Sequence, residues 1–469
     1  MINQQIKFGT DGWRAIIADT YTKENVKRVS EATCHWMAKK GMTTVVIGYD
    51  TRFGGKLFAE TAASVFGNFG MKIKLSDHFV STPMVSLANV KLGADMGIVI
   101  TASHNPPSYN GYKLKSAFGG PTIPSEIAEI EALIPDTALG KLKGVAALEK
   151  EGLLEKVDLE KIYIDHVREN FDLDLIDKSG INIAYDAMYG AGQEVLPKIL
   201  PKAHLLHCDY NPSFMGQAPE PIHRNLGEMA ALMAKDDRLA FGLANDGDAD
   251  RIGLYDSNGK FVDSHHILLL LLYYLAEYKK MTGKVIVTFS VTDKMQKLAD
   301  HYGLDLEVTK IGFKYIAEIM TKEDVLVGGE ESGGLAIKGH IPERDGIWIG
   351  LTILEFMAMR NKSLEELIQE VYEKVGEFAT DRDDLHLTDE KKNAIINKCK
   401  EGKIEKIGPR HVNRVETIDG YKFYLSSDEW LLVRPSGTEP VLRVYAQATD
   451  PGKVRSLLDD AHVALQEGL

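Results

Sequence analysis

Two short stretches of this chain combine residue types suited to phosphoryl transfer. In VITASHNPP (residues 99–107) an apolar strand runs out into Ser103, His104, Asn105 and Pro106, a turn-forming set able to present a hydroxyl to a cleft. In NDGDADR (245–251), Asp246, Asp248 and Asp250 alternate, so an extended loop can turn all three carboxylates toward a hard cation that prefers oxygen ligands. Alone, Ser103 reads as a turn serine bonded to its own backbone, and the acidic loop as a solvated turn. Together they specify a hydroxyl that carries a phosphoryl group beside a divalent cation. His104 follows Ser103 directly, and successive side chains near a strand diverge, so it is expected to be a poor base for Ser103, and a serine-hydrolase triad is disfavoured. An EF-hand would need Gly and Glu where Arg251 and Ser257 stand. Three aspartates leave coordination positions open for a phosphate on Ser103.

Two further loops extend the chemistry. GGEESGG (328–334) sets Glu330 and Ser332 two apart on a glycine-bracketed turn, suited to sugar hydroxyls that donate to a carboxylate. RPSGTEP (434–440) gathers Arg434, Ser436, the Gly437 backbone and Thr438, a donor-rich concavity matched to a phosphate dianion. Arg14 in FGTDGWR, with Lys113 and Lys115, could set cations beside Ser103. Lys310, His340 and Arg344 are also candidates, although lone basic residues usually lie at the surface.

These loops need strands to hold them. Residues 44–50, 71–76 and 95–101 are β-rich, with helical patterns at 56–70 and 82–92 between them, a β/α alternation that predicts a parallel sheet. The pattern restarts at 181 and again at 284, giving three similar α/β units. The strands at 421–425, 430–434 and 441–447 follow one another with short turns before a helix at 451–466, which predicts a smaller antiparallel α+β domain. Boundaries are expected near 150, 257 and 372, giving segments 1–150, 151–257, 258–372 and 373–469. Ligands collect beyond the carboxyl ends of parallel strands, so the four loops are expected to face a single central cleft.

With 469 residues, 44% hydrophobic and 26% charged, the chain has the composition of a globular protein of three or four domains. Its net charge of −13 repels phosphate and, more strongly, a nucleic-acid backbone, so no nucleic-acid partner is expected and an anionic ligand needs a local cationic site. Cys34, Cys208 and Cys399 have no metal or disulfide spacing, which fits a reducing compartment. The N-terminus lacks an apolar core of signal-peptide length, and Ile267–Leu275 is about half a membrane span. A cytoplasmic protein with no membrane partner is expected.

In this order, FGTDGWR, TASHNPPSYNGYK, DGDADR, GGEESGG and RPSGTEP resemble the motifs of the α-D-phosphohexomutase superfamily, across residues 8–440. The resemblance implies three mixed α/β domains and a TATA-binding-protein-like α+β domain around one cleft. It also implies that Ser103 is the phosphoserine and, with Asp246, Asp248 and Asp250, a Mg²⁺ ligand. Arg14, Lys113 and Arg251 then match basic residues near the transferring phosphoryl group, and Glu330 and Ser332 the sugar contacts. Arg434, Ser436, Gly437 and Thr438 match the distal phosphate site, with Lys310 and His340 less securely matched.

By that resemblance, phosphorylated Ser103 donates to a hexose monophosphate, a hexose 1,6-bisphosphate forms and turns around, and the other phosphate is taken back. Lys113 and His104 are the candidate general acid/base groups. The partner is a small sugar phosphate, and the protein a monomer or small homo-oligomer. Glu331 and GHIPERDGIW resemble glucomutase members, whereas phosphoglucosamine mutases tend to have Asn at the middle position and many dual-specificity enzymes Met. The Gly333–Gly334 pair departs from the Phe-Gly of animal-type glucomutases, which keeps mannose 1-phosphate in play. The rival readings are a metal-dependent phosphatase, which releases phosphate to water, and a silent sugar-phosphate sensor, which would be expected to have lost Ser103 or an aspartate.

Overall fold

The structure is a computed structural model that describes residues 6–435 and 441–467. The chain forms two compact units, one of residues 1–286 and 312–368, the other of 287–311 and 369–469.

In the first unit, β1 (Trp13–Ile16), β2 (Thr44–Tyr49), β3 (Lys72–Ser76), β4 (Met96–Ile100), β5 (Tyr109–Ser116) and β6 (Leu154–Val157) make a six-stranded sheet in the order β1-β5-β4-β2-β3-β6. The strands expected at 44–50, 71–76 and 95–101 are β2, β3 and β4 and run parallel, with β6 beside them, while β5, not among the expected strands, is antiparallel to β4 and to β1. Parallel strands need a long crossover, and only the eight residues 101–108 separate β4 from β5, so the chain must double back. The Ser103 loop is therefore a hairpin connection. Helices Lys23–Lys39 and Gly55–Asn68 cover the sheet and bury Trp36, Met37, Phe58 and Phe66.

A second sheet repeats the device. β7 (Asn182–Asp186), β8 (His204–Leu206), β9 (Leu239–Asn245), β10 (Ile252–Tyr255) and β11 (Phe261–Val262) take the order β11-β10-β9-β7-β8. β7 is parallel to β8 and β9, and β10 is antiparallel to β9, so the aspartate loop also joins a hairpin. A third, four-stranded sheet contains β12 (Lys284–Thr288), β13 (Leu306–Thr309), β14 (Val325–Gly329) and β15 (Leu335–Ile337). Again β14 and β15 are antiparallel, joined by the Glu330–Ser332 loop.

The apolar run that could be mistaken for a short span is the helix Ser264–Tyr273, capped by the Asp263 side chain, with Ile267 and all five following leucines fully buried. A helix apolar on every side belongs in a core. Among the described residues, no helix is long and apolar enough to cross a membrane.

The second unit holds an antiparallel sheet of β16 (Ala379–His386), β19 (Arg414–Glu416), β20 (Tyr421–Tyr424), β21 (Trp430–Pro435) and β22 (Val441–Ala448), in the order β16-β22-β21-β20-β19. β17 (Lys406–Ile407) and β18 (Arg410–His411) form a separate ribbon. Helices Asp389–Lys400 and Pro451–Gln466 bury Ile395, Val454, Leu457 and Leu458 in the core that includes Leu431, Val433 and Val444 of the sheet.

Candidate functional site

Ser103 is fully buried and adopts a left-handed backbone, φ 53°, uncommon for a residue with a Cβ. Three interactions hold it there. Its N–H donates to Thr101 Oγ1 at 2.9 Å, its hydroxyl donates to Asp246 Oδ2 at 2.6 Å, and its carbonyl accepts from Arg52. Arg52, fully buried, also donates to the carbonyls of Asn105 (2.6 Å), Pro106 (2.9 Å) and Tyr109 (3.1 Å), so one guanidinium fork shapes the whole loop. Asp50 pairs with Arg52 at 3.4 Å and accepts from Thr101 Oγ1 at 2.6 Å. Burial pushes the Asp50 carboxyl up to about 6 despite that pairing. Neither Asp50 nor Arg52 is in the sequence-derived set; the only signal was their place just past β2, a strand parallel to β4.

The expected divergence of His104 from Ser103 is overturned. His104 Nδ1 lies 3.2 Å from Ser103 Oγ, because the left-handed Ser103 is not a strand residue and the alternation rule fails there. Burial, then the charges of Arg251, Arg14, Lys113 and Arg52, hold the His104 imidazole well below its usual range, so it is neutral. Arg14, in β1, donates to Asn105 Oδ1 at 2.7 Å.

All three aspartates are fully buried. Asp246 Oδ1 accepts from the N–H groups of Asp250 (3.0 Å) and Arg251 (3.1 Å). Asp248 accepts from Thr82 Oγ1 and from Lys113 Nζ at 2.7 Å, and Asp250 from Lys113 Nζ at 2.9 Å. One oxygen of each lies within 4.8 Å of the others, while Asp248 Oδ1 and Asp250 Oδ1 are buried without a hydrogen-bond partner. Orphaned buried carboxylate oxygens are costly, and a hard divalent cation is the natural partner for this donor set. The residues present therefore fit a metal. Burial, reinforced by Asp248 and Asp250, raises Asp246; burial would raise Asp248 too, but Lys113 and Thr82 hold it below its usual range. The loop is pinned to its surroundings: Thr82 N–H donates to Asp248 O, and Gly346 N–H to Ala249 O. A Cβ at Gly247 would stand 2.5 Å from Ser103 O, so only glycine lets these two loops meet.

Lys113 and Lys115 share one face of β5 and are fully buried. Lys113 pairs with Asp11 (2.8 Å), Asp248 and Asp250, and Lys115 with Glu343 (2.6 Å). Burial works against the Lys113 charge, yet Asp11, Asp248 and Asp250 overcome it and raise its pKa. Lys113 is thus held as a cation by these three carboxylates. Arg344, expected at the surface, is also corrected: it is buried and pairs with Asp250 at 2.7 Å and with Asp11. Sequence alone could not show that Asp11 and Glu343, more than 300 residues apart, both pair with Lys115. His340 is likewise enclosed, with Nε2 3.0 Å from Asp345 Oδ2 and its ring stacked on Trp348 at 3.8 Å.

Glu330 is buried, and burial raises its pKa against the pull of Arg344 and Arg251. Ser332 is half-buried on the same turn. Ile252 N–H donates to Gly333 O, tying this loop to the aspartate hairpin, and a Cβ on Gly334 would meet Arg344 Cδ at 2.4 Å. Arg251 pairs with Glu220 at 3.5 Å. The first unit therefore brings together Ser103, His104, Arg14, Lys113, the three aspartates and Arg344, with Arg251 and Glu330 in electrostatic reach. Lys310 and Arg434 belong to the second unit; Lys310 is exposed, and Arg434 Nε lies 3.2 Å from Asp419 Oδ2. Ser436, Gly437 and Thr438 lie outside the described residues.

Comparisons with known proteins agree with a chain of four domains in series. The family models "Phosphoglucomutase/phosphomannomutase, alpha/beta/alpha domain I", "domain II" and "domain III" match residues 5–140, 161–259 and 263–375, and the "C-terminal domain" matches 388–462. A phosphoglucomutase/phosphomannomutase of Thermococcus kodakarensis is 30% identical, covering 98% of this chain and 99% of the relative. A phosphoglucosamine mutase of Methanococcus maripaludis is 30% identical, covering 96% of each. The crystal structure of a candidate phosphomannomutase from Thermus thermophilus is 34% identical, covers 98% of both chains and superposes with a TM-score of 0.86. The chain belongs to the phosphoglucomutase/phosphomannomutase family of the α-D-phosphohexomutase superfamily, whose enzymes are intramolecular phosphotransferases.

Proposed function

We propose that the protein is a phosphoglucomutase, interconverting glucose 1-phosphate and glucose 6-phosphate through phosphorylated Ser103 and a hexose 1,6-bisphosphate. The observation that carries this reading is the buried Ser103 hydroxyl, 2.6 Å from one of three clustered aspartates and ringed by fixed cations. Asp246, Asp248 and Asp250, with an oxygen on Ser103, would hold Mg²⁺, which when bound neutralises charge developing on the transferring phosphoryl oxygens.

The protein's own groups do the rest. The Ser103 Oγ–P bond breaks as a bond forms between phosphorus and the oxygen of a free sugar hydroxyl, which loses its proton while the departing Ser103 Oγ gains one. His104, neutral and beside Ser103 Oγ, is assigned the proton transfer. Arg14, Lys113 and Arg251 stabilise the transferring charge without proton exchange. Glu330 and Ser332 receive the sugar hydroxyls. We assign Arg434, with Ser436, Gly437, Thr438 and Lys310, to the phosphate that is not reacting, and His340 to a supporting sugar contact. The segments 1–150, 151–257, 258–372 and 373–469 then each contribute one loop. The three free cysteines suit a reducing cytoplasm.

Glucose is chosen because Glu331 stands in the middle of GEES. Phosphoglucosamine mutase is the second reading, favoured by the names of several relatives and by two adjacent carboxylates able to receive a sugar ammonium. The test is Mg²⁺-dependent turnover of glucose 1-phosphate, mannose 1-phosphate and glucosamine 1-phosphate in parallel, with a trace of hexose 1,6-bisphosphate. The expected outcome is fastest turnover of glucose 1-phosphate without free phosphate. Preference for another sugar overturns the substrate, and phosphate release without isomerisation overturns the mutase.

A further inference from the structure

Outside the serine and aspartate loops, the first unit gathers a second set of metal-ligating side chains. One ligand atom from each of His78, Glu160 and Glu194 lies within 4.8 Å of the others. His78 follows β3, Glu160 sits in the first turn of the helix Leu159–Asn170, and Glu194 precedes the helix Val195–Ile199. Glu160 is 5% exposed; its Oε1 accepts from Lys198 Nζ, while among the described residues no group donates to its Oε2. His78 Nδ1 lies 2.5 Å from Asp77 Oδ1. An ionised carboxylate only accepts, so Nδ1 carries the proton and Nε2 of the neutral ring is a lone pair. That Nε2 is buried without a hydrogen-bond partner, 4.0 Å from Glu160 Oε2.

A buried ring nitrogen with nothing to bond is costly, and a histidine whose other nitrogen is held by a carboxylate has the arrangement of a metal ligand. An imidazole with two carboxylates suits Zn²⁺, whereas Mg²⁺ prefers oxygen alone, which separates this set from the all-oxygen aspartate loop. Two ligands each about 2.1 Å from a tetrahedral Zn²⁺ stand roughly 3.4 Å apart, so His78 and Glu160 need to close by about half an ångström. The two carboxylates match the charge of the ion. Lys198, which now pairs with Glu160 and, at 4.0 Å, with Glu194, has a side chain 51% exposed, so its ammonium can move into solvent. A cavity of about 280 Å³, lined by Ile164 and otherwise by charged side chains, Glu160 and Lys198 among them, gives the ion a way in. We propose that His78, Glu160 and Glu194 bind Zn²⁺, with Asp77 orienting the imidazole, and that the ion takes the place of the Lys198 ammonium. The site clips three elements of the first unit together and is independent of the mutase reading.

Titration calorimetry of the full-length protein with Zn²⁺ tests it, in an Asp248→Asn background so that Zn²⁺ in the aspartate loop is not read as this site. The wild-type protein in excess Mg²⁺ is titrated beside it. The expected result is one saturable Zn²⁺ site per chain in both. Adding His78→Gln should weaken it about tenfold or more, and adding Asp77→Asn, which leaves all three ligands in place, about tenfold. Lys198→Met, which frees both carboxylates, should tighten it severalfold. Absence of saturable Zn²⁺ binding in both proteins overturns the proposal, as does unchanged affinity in His78→Gln. Equal or weaker binding in Lys198→Met overturns the exchange of ammonium for metal.

Discussion

Ser103 is held at three of its atoms, but only its hydroxyl is chemically expendable to the fold. Ser103→Ala keeps the Thr101 and Arg52 contacts, so the variant should fold like the wild type while mutase turnover falls by at least about a thousandfold. Circular dichroism and the coupled assay check both halves, and near-normal turnover would remove Ser103 from the mechanism. Arg52 is the converse case, touching no reacting atom in the proposed mechanism yet fixing four carbonyls of the loop. In Arg52→Lys a point charge cannot reproduce the fork. The expected losses are about 2 kcal/mol of stability and roughly a hundredfold in turnover, because small misplacements at a reacting centre are amplified. Denaturant titration beside steady-state kinetics measures the pair.

The same residues show how far the sequence could be read. Ser103 and the aspartates stood out because their spacing alone makes chemical sense. Arg52, Asp11 and Glu343 did not, and Arg344 was named only as a basic residue expected at the surface, since a lone charge in a sequence looks like surface until its distant partner is known. His104 was misjudged because a single left-handed residue, invisible to periodicity, turned its ring back toward Ser103.

At the level of elements, the strand and helix pattern was legible: expected strands at 71–76 and 441–447 are Lys72–Ser76 and Val441–Ala448, and the expected final helix is Pro451–Gln466. The returning strand β5 was not, because a short connection containing Pro106 and Pro107 reads as a loop whether the chain continues or doubles back. β20 carries a prediction of its own. Burial lowers Lys422 from 10.5 to about 8, with Asp293 and Glu416 only partly opposing. A base with a depressed folded pKa costs stability while it is charged: the penalty is full below about pH 8, shrinks as pH rises toward 10.5 and is absent above. Relative to Lys422→Met, the wild type should therefore gain up to about 3 kcal/mol across that window. Paired chemical denaturations from pH 7 to 10.5 test this, and parallel curves would mean that Lys422 is not desolvated.

For the whole molecule, the orphaned aspartate oxygens tie metal binding to folding. Mg²⁺ at a hundred times its dissociation constant should stabilise the native state by about 2.7 kcal/mol. Thermal unfolding should shift upward with Mg²⁺, return with a chelator, and fail to shift in Asp248→Asn; an equal shift in that variant would place the ion elsewhere.

Each compact unit is built from two stretches of chain, so neither is a contiguous module. During synthesis this sets an order of events. The first unit has all its residues once 368 has been added, and it can assemble the serine and aspartate hairpins before the larger stretch of the second unit is made. The segment 287–311 holds the helix Lys294–His301 and β13, which pairs with β12 in the third sheet, and its unit is complete only after roughly the last fifth of the chain emerges. A ribosome paused near residue 369 would therefore carry a nascent chain with its serine and aspartate hairpins already made and Phe289 still waiting for Trp430, Leu432 and Tyr445, the partners of its core.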